Sequence, residues 1–122
     1  MYDRRVPIEP GLLDRRVLIQ QATDAKDATG APTQAWTTLA TVWMGRETLR
    51  GMERVQAGMV ESSYDARWLM YYRADMDPDL VDVPKARRLV FGGRVHDIAA
   101  AQHLGRREGI ELSTKATTQV PA

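Results

Sequence analysis

The sequence contains no cysteine, no asparagine and a single phenylalanine. Without thiols there is no disulfide framework, no thiolate metal site and no cysteine nucleophile. Without asparagine, left-handed turn positions fall mostly to the nine glycines. Aromatic residues make up 7% of the chain, too few for a platform that stacks nucleic-acid bases. Lysine is scarce as well, with 3 against 14 arginines. Arginine's planar, forked guanidinium suits interfaces and phosphate, although GC-rich coding produces the same bias. The 17 basic and 16 acidic side chains leave a formal charge of +1, which argues against binding nucleic acid by bulk positive charge. No apolar run approaches a bilayer crossing, and the opening MYDRRVPIEPGLLDRR has charges with no apolar core behind them. The expectation is a protein made and kept in a cytoplasm-like compartment, with no membrane contact. No internal repeat is visible.

What is present fits one domain of 122 residues with a modest core. Residues 1–13 carry Pro7, Pro10 and Gly11 without a period and read as an extended arm anchored by Leu12 and Leu13. RRVLIQQ, from Arg15 to Gln21, alternates as a strand, with Val17 and Ile19 on one face and Leu18 on the other. TDAKDATGAPT, residues 23–33, is rich in turn formers and reads as a long hairpin loop. WTTLATVWMG, residues 36–45, suits a half-buried strand, and by parity Trp36 and Trp43 fall on opposite faces.

Over residues 49–59 the period changes to helical, with Leu49, Met52, Val55 and Met59 on one stripe. Arg46, Arg50 and Arg54 make a second stripe at intervals of four. A short helix is expected, weakened by Gly51 and Gly58. YDARWLMYYR, residues 64–73, is the clearest strand: Tyr64, Ala66, Trp68, Met70 and Tyr72 share one face. Residues 74–88 read as a long connection, acidic and then basic. LVFGGRVHDIAA is the best hairpin signal, with Gly92-Gly93 as a two-residue turn. That turn sets Phe91 opposite Arg94, Val90 opposite Val95 and Arg88 opposite Asp97. IELSTK returns as the last strand, and the uncharged tail from Ala116 is expected to fray. The sum is a mainly β chain: a small antiparallel barrel of about five or six strands, with one short helix and long loops, over residues 14–115.

The chemistry-bearing residues do not assemble into a catalytic pattern. His96 and His103 are seven apart and match no zinc spacing, and both read as surface histidines. His96 and Asp97 are strand neighbours that point to opposite faces, so they cannot act as a base and its orienting acid. Asp75, Asp77 and Asp79 imitate the start of a calcium loop, but Leu80 stands where glycine is needed and Ala86 where the bidentate glutamate belongs. A solvated turn is the better reading. There is no nucleophile elbow, P-loop or dinucleotide fingerprint, so neither an enzyme, a cofactor nor a metal is expected. Charge is uneven: residues 61–83 hold six acids and two bases, a balance of −4, and residues 84–115 hold seven bases and three acids, a balance of +4. Opposite patches of this kind suit contact with a neighbouring subunit or another partner, and equally pairing within one subunit.

The order of these pieces resembles the head–tail joining family of long-tailed bacteriophages, the small neck proteins also called head-closure or stopper proteins. GLLDRRVLIQ resembles the family's first strand, through Leu13, Arg16, Val17 and Ile19. DATGAPTQAWTTLATVW resembles its turn–Trp–Ala–x–Val–Trp block, here Gly30, Trp36, Ala40, Val42 and Trp43. RGMERVQAGMVESSYDARWLMYYR resembles its middle and VFGGRVHDIA its closing hairpin; the connection through VDVPKARR is longer and more basic than the family pattern.

The resemblance implies a β-barrel with an added helix and a long loop. Its subunits form a homo-oligomeric ring, sixfold or twelvefold, in the virion neck between the portal–adaptor ring and the tail terminator or tail tube. The ring retains packaged double-stranded DNA by transient, sequence-independent contact and docks the tail; it is non-enzymatic, and assembly takes place in the bacterial cytoplasm. The same parts occur in prophages and gene transfer agents. On that basis the loops 23–35 and 74–88 are expected to project towards the channel or neighbouring rings. Candidate partner or DNA-channel contacts are Arg46, Arg50, Arg54, Asp75, Asp77, Asp79, Arg87 and Arg88. Candidate ring-interface or arm contacts are Arg4, Arg5, Leu12, Met52, Val55 and Met59. Competing readings are a tail-completion or terminator protein of the same neck and a small OB-like nucleic-acid-binding barrel.

Overall fold

The computed structural model describes residues 8, 10–48 and 64–117. The expected helix over 49–59 lies outside them, as do Arg4, Arg5, Arg50, Met52, Arg54, Val55 and Met59. Six strands form a closed barrel: β1 (Arg15–Lys26), β2 (Pro32–Thr48), β3 (Ala66–Tyr71), β4 (Arg87–Phe91), β5 (Arg94–Leu104) and β6 (Gly109–Ala116). Their order around the barrel is β1-β2-β3-β6-β5-β4, and β4 closes on β1. All neighbours are antiparallel and each strand has a paired neighbour on both sides, although among the described residues β2 meets β3 only over Gly45–Thr48 and β4 meets β1 only over Leu18–Gln21.

Alternation in the strands fills the barrel. Val17 and Ile19 of β1, Met44 of β2, Ala66, Trp68 and Met70 of β3, Leu89 of β4, Ile98 of β5 and Ile110 and Leu112 of β6 form one buried cluster. Trp68 is central, with Phe91 and His96 packed edge-on at 5.6 and 5.5 Å between ring centroids. Its indole N–H donates to the Thr114 hydroxyl at 2.7 Å, which satisfies the one polar atom of a fully buried side chain. A second, smaller cluster lies outside the sheet, where Leu13 and Ile8 cover Leu69 and Leu104. Leu69 is therefore buried although it sits on the face opposite Trp68. The chain passes so close to β2 that a Cβ on Gly45 would stand 2.6 Å from the Leu12 carbonyl oxygen, which restricts that position to glycine.

Two irregularities bend the sheet into a barrel. The β1–β2 register slips between Ile19 and Gln20, leaving Leu39 extra on β2, and the β5–β6 register slips at Ala99. The first slip also corrects the parity reading of the tryptophans. Trp36 and Trp43 pair with Ala22 and Arg16, which lie on one face of β1, so both face outward.

The hairpin at Gly92-Gly93 forms as expected, with φ of +62° and +75° and the pairs Phe91–Arg94, Val90–Val95 and Arg88–Asp97. Elsewhere strands run further than the turn-forming residues suggest. The segment read as a loop over 23–33 is mostly ladder, because β1 and β2 stay paired out to Lys26 and Pro32. Only residues 27–31 turn, and the Asp27 carboxylate closes that turn by accepting from the Thr29 and Ala31 amides and the Thr29 hydroxyl. Those bonds, the Thr29 hydroxyl first, hold the Asp27 carboxyl below its usual pKa. β4 pairs only with Leu18–Gln21, so the outer part of β1–β2 is a two-stranded ribbon projecting from the barrel. Arg46 continues β2 instead of opening a helix. Among the described residues an α-helix, α1 (Val83–Ala86), lies in the segment read as a connection, with Pro84 in its first turn.

Trp68→Phe keeps most of the core volume but loses the bond to Thr114; it is expected to cost about 1–3 kcal/mol in urea unfolding. Gly93→Ala forces an L-residue into the left-handed region and should cost about 1–2 kcal/mol in the same measurement.

Candidate functional site

The segment between β3 and β4 is expected from sequence to be a projecting, solvated loop. The structure shows it folded across one end of the barrel. Met76 and Val83 are fully buried in the interior cluster, with Val81 and Tyr72 packed beside them. A short 3-10 turn, Ala74–Met76, and α1 carry these anchors inward.

Asp77 is the polar centre of this plug. It is fully buried, unlike the solvated turn residue expected. One carboxylate oxygen accepts from the Tyr72 hydroxyl at 2.6 Å. The other accepts from the Asp79 amide at 2.8 Å and faces His103 Nε2 at 3.0 Å. His103 Nε2 also lies 3.1 Å from Asp79. Its ring stacks on Tyr72 at 6.2 Å, and the Arg107 guanidinium lies 6.0 Å from the same tyrosine ring. The Tyr72 hydroxyl, and then the Asp79 amide and the cationic side chains, hold the Asp77 carboxyl below its usual pKa against the opposing effect of burial. Tyr72 is pushed up in turn by its bond to Asp77. Asp77, Asp79 and His103 bring ligand-type atoms within 4.8 Å of one another, and the hydrogen bonds just described engage those same atoms.

The remaining candidate contacts are spread around the barrel. Asp75 forms a two-pronged ion pair with Arg73 at 2.8 and 3.0 Å, which holds its carboxyl below the usual range. Arg87 donates to the Asp75 and Ala86 carbonyls, fastening the plug to β4. Arg88 is buried: its Nε donates to Gln20 at 2.7 Å and its guanidinium lies 4.5 Å from the Trp36 ring centroid. Burial lowers its pKa, with Asp97 opposing that effect. Arg46 is exposed and lies 5.1 Å over Trp68 and 5.9 Å over Phe91. Leu12 is exposed, at the end of a 3-10 turn, Pro10–Leu12. Thus Asp75, Asp77 and Asp79 gather in the plug, Arg87 joins them, and Arg46, Arg88 and Leu12 stand apart.

Both histidines depart from the surface reading. His103 is half-buried in the knot around Asp77, and His96 is buried inside the barrel against Trp68 because its strand partner is the inward-facing Leu89. Burial holds His96 below the usual imidazole pKa. Sequence reasoning also missed the buried pair of Arg67 with Glu111, 3.1 Å apart, since nothing local marks a contact between β3 and β6. It missed Tyr72 and Arg107 in the knot for the same reason.

A sequence model of the phage head completion protein family matches residues 8–117. This chain belongs to that family. A head completion protein is a structural part of the virion, and its place is the head–tail region. No curated protein matches the sequence. The fold is similar to the solution structure of protein SF1141 from Shigella flexneri 2a, with a TM-score of 0.67. That similarity covers 92% of this chain and 99% of the other at 20% identity, and at such identity it speaks for the shared fold alone.

The pH dependence follows from these environments. Asp77, with its folded pKa depressed, contributes stability that is present above the carboxylate's unfolded value of about 3.9 and is lost as pH falls through the folded value. Asp77→Asn should therefore flatten the acid limb of a stability-versus-pH curve while lowering stability at pH 7. His96, also depressed, behaves differently. As pH falls below about 6.5 the unfolded chain takes up a proton that the folded barrel disfavours, so stability declines over that window. His96→Met should remove this decline, measured by chemical denaturation at successive pH values.

Proposed function

We propose that this head completion protein acts as a head-closure part of the virion neck. Its copies form a ring between the portal–adaptor complex and the tail terminator or tail tube. The ring retains packaged double-stranded DNA and offers the surface on which the tail docks. Synthesis and assembly take place in the bacterial cytoplasm. The family match over residues 8–117 carries this reading.

The architecture supports it. The barrel spends its strands on self-closure, and one mouth is filled by the plug, so the surfaces that remain for partners are appendages and outer faces. The ribbon of β1 and β2 extends about 15 Å beyond the part of β1 that β4 covers. Its end carries Asp24, Lys26 and Asp27, a nearly balanced set. A balanced surface lets DNA slide, whereas a basic lining would grip it with steep salt dependence. Arg46 is an exposed cation available to such a surface, and Asp79 is an exposed acid at the other end of the molecule.

Deletion of the gene followed by imaging of the particles tests this function. The expected result is filled heads that lose DNA, beside separate and complete tails. Normal infectious particles would overturn the proposal.

A further inference from the structure

Where β2 and β3 part beyond the Gly45–Leu69 pair, the surface carries a largely apolar cavity of about 480 Å³, lined by Pro10, Leu13, Val42, Trp43, Met70, Tyr71 and Arg73. Three large apolar side chains stand open to solvent on this side of the barrel: Trp43 is 50% exposed, Tyr71 47% and Leu12 42%. The Arg16 guanidinium lies 5.1 Å over the Trp43 ring, and Arg73 lines the cavity. Aromatic anchors with arginine at the margin are the composition of a binding hot spot, and an exposed apolar patch with a polar rim marks an interaction surface.

The same chain carries a matching projection. Leu80 is 65% exposed, more than any other large apolar residue among those described. It is held outward by a turn in which the Leu80 and Val81 amides both donate to the Asp77 carbonyl, at 3.0 and 2.9 Å, while Val81 packs against the core. The buried Asp77 carboxylate, bonded to Tyr72 and His103, fixes the base of that turn. Exposed Asp79 and Asp82 flank the leucine. The projection is thus a preorganised apolar knob with an acidic collar, and the cavity is an apolar socket with a basic one. Preorganisation lowers the entropy cost of association, and the opposite collars select the pairing.

Knob and socket are separate features of the surface: the socket lies against Trp43 of β2 and Tyr71 of β3, whereas Asp79 beside the knob contacts His103 of β5. A copy can therefore give its knob to one neighbour while taking the knob of another. Such a contact is head-to-tail, the type that closes into rings when its rotation allows. We propose that Leu80 of one copy seats in the Trp43–Tyr71 cavity of the next. The contact stands on the two surfaces; only its closure into a ring rests on the function proposed above.

The absence of cysteine makes the test clean. Purified Leu80→Cys/Tyr71→Cys protein is oxidised at high concentration and run without reductant. Either single variant can form at most a disulfide dimer, whereas the double variant is expected to give a ladder beyond the dimer. A control pairs Leu80→Cys with Thr37→Cys, exposed on β2 away from the socket, and should give a much slower ladder. Adding Trp43→Asp to the first pair should abolish the ladder; circular dichroism checks that the barrel persists. A ladder equally fast in the Thr37 control, one indifferent to Trp43→Asp, or none beyond the dimer overturns the contact. The deletion phenotype is scored separately. A knob-dependent ladder with normal particles keeps the contact and removes the neck role, and leaking heads with no ladder do the reverse.

Discussion

The barrel closes through a seam of four residue pairs, where Arg87–Val90 of β4 meet Leu18–Gln21 of β1. Without it the sheet would present two open edges, and the β4–β5 hairpin would have nothing to fix its position. The seam carries its own latch on the outer face. Arg88 is buried there, donating to Gln20 and lying on Trp36. Taking a cation out of water is unfavourable, and the hydrogen bond and the aromatic face offset part of that cost. A planar guanidinium can meet both partners at once in a way an ammonium cannot. With β4 held, Leu89 and His96 point inward, and Trp68 acquires the edge-on partners that fill the centre.

The plug completes what the seam begins. A short antiparallel barrel has two mouths, and apolar side chains near either one would meet water. Met76 and Val83 close one mouth, and a buried carboxylate holds the segment that brings them there. The polar knot is therefore part of the core's architecture: each Asp77 oxygen has a donor, so its burial is not left uncompensated. The segment is acidic in sequence because the knot and the exposed collar around Leu80 draw on the same run of aspartates.

Much of the fold is legible in the sequence, for physical reasons that differ by element. The Ala66–Trp68–Met70 alternation and the Gly92-Gly93 turn are local signals, and the strands and register they imply are the ones found. The extent of β1 and β2 is not legible. Their outer halves are held by pairing with each other, and the turn-forming residues there read as loop. The outward position of both tryptophans depends on one extra residue, Leu39, which inverts the parity beyond it. The site is less legible still. The aspartates at 75, 77 and 79 are visible as a run, but Tyr72, His103 and Arg107 arrive from three places in the sequence, and only the barrel brings them together. Arg88 shows how charge misleads: its identity suggests an exposed contact, while its strand partners bury it.

The ribbon of β1 and β2 has a mechanical consequence. Its two strands bond to each other and β4 covers only their base, so beyond that point no strand among the described residues pairs with them. Bending beyond the Gln21–Thr37 pair would break few contacts among the described residues, and ordering the tip against a neighbour would cost mainly chain entropy. The molecule thus joins a stiff body to a compliant limb, so that small mismatches in spacing between adjoining parts can be absorbed by the limb without strain reaching the core around Trp68.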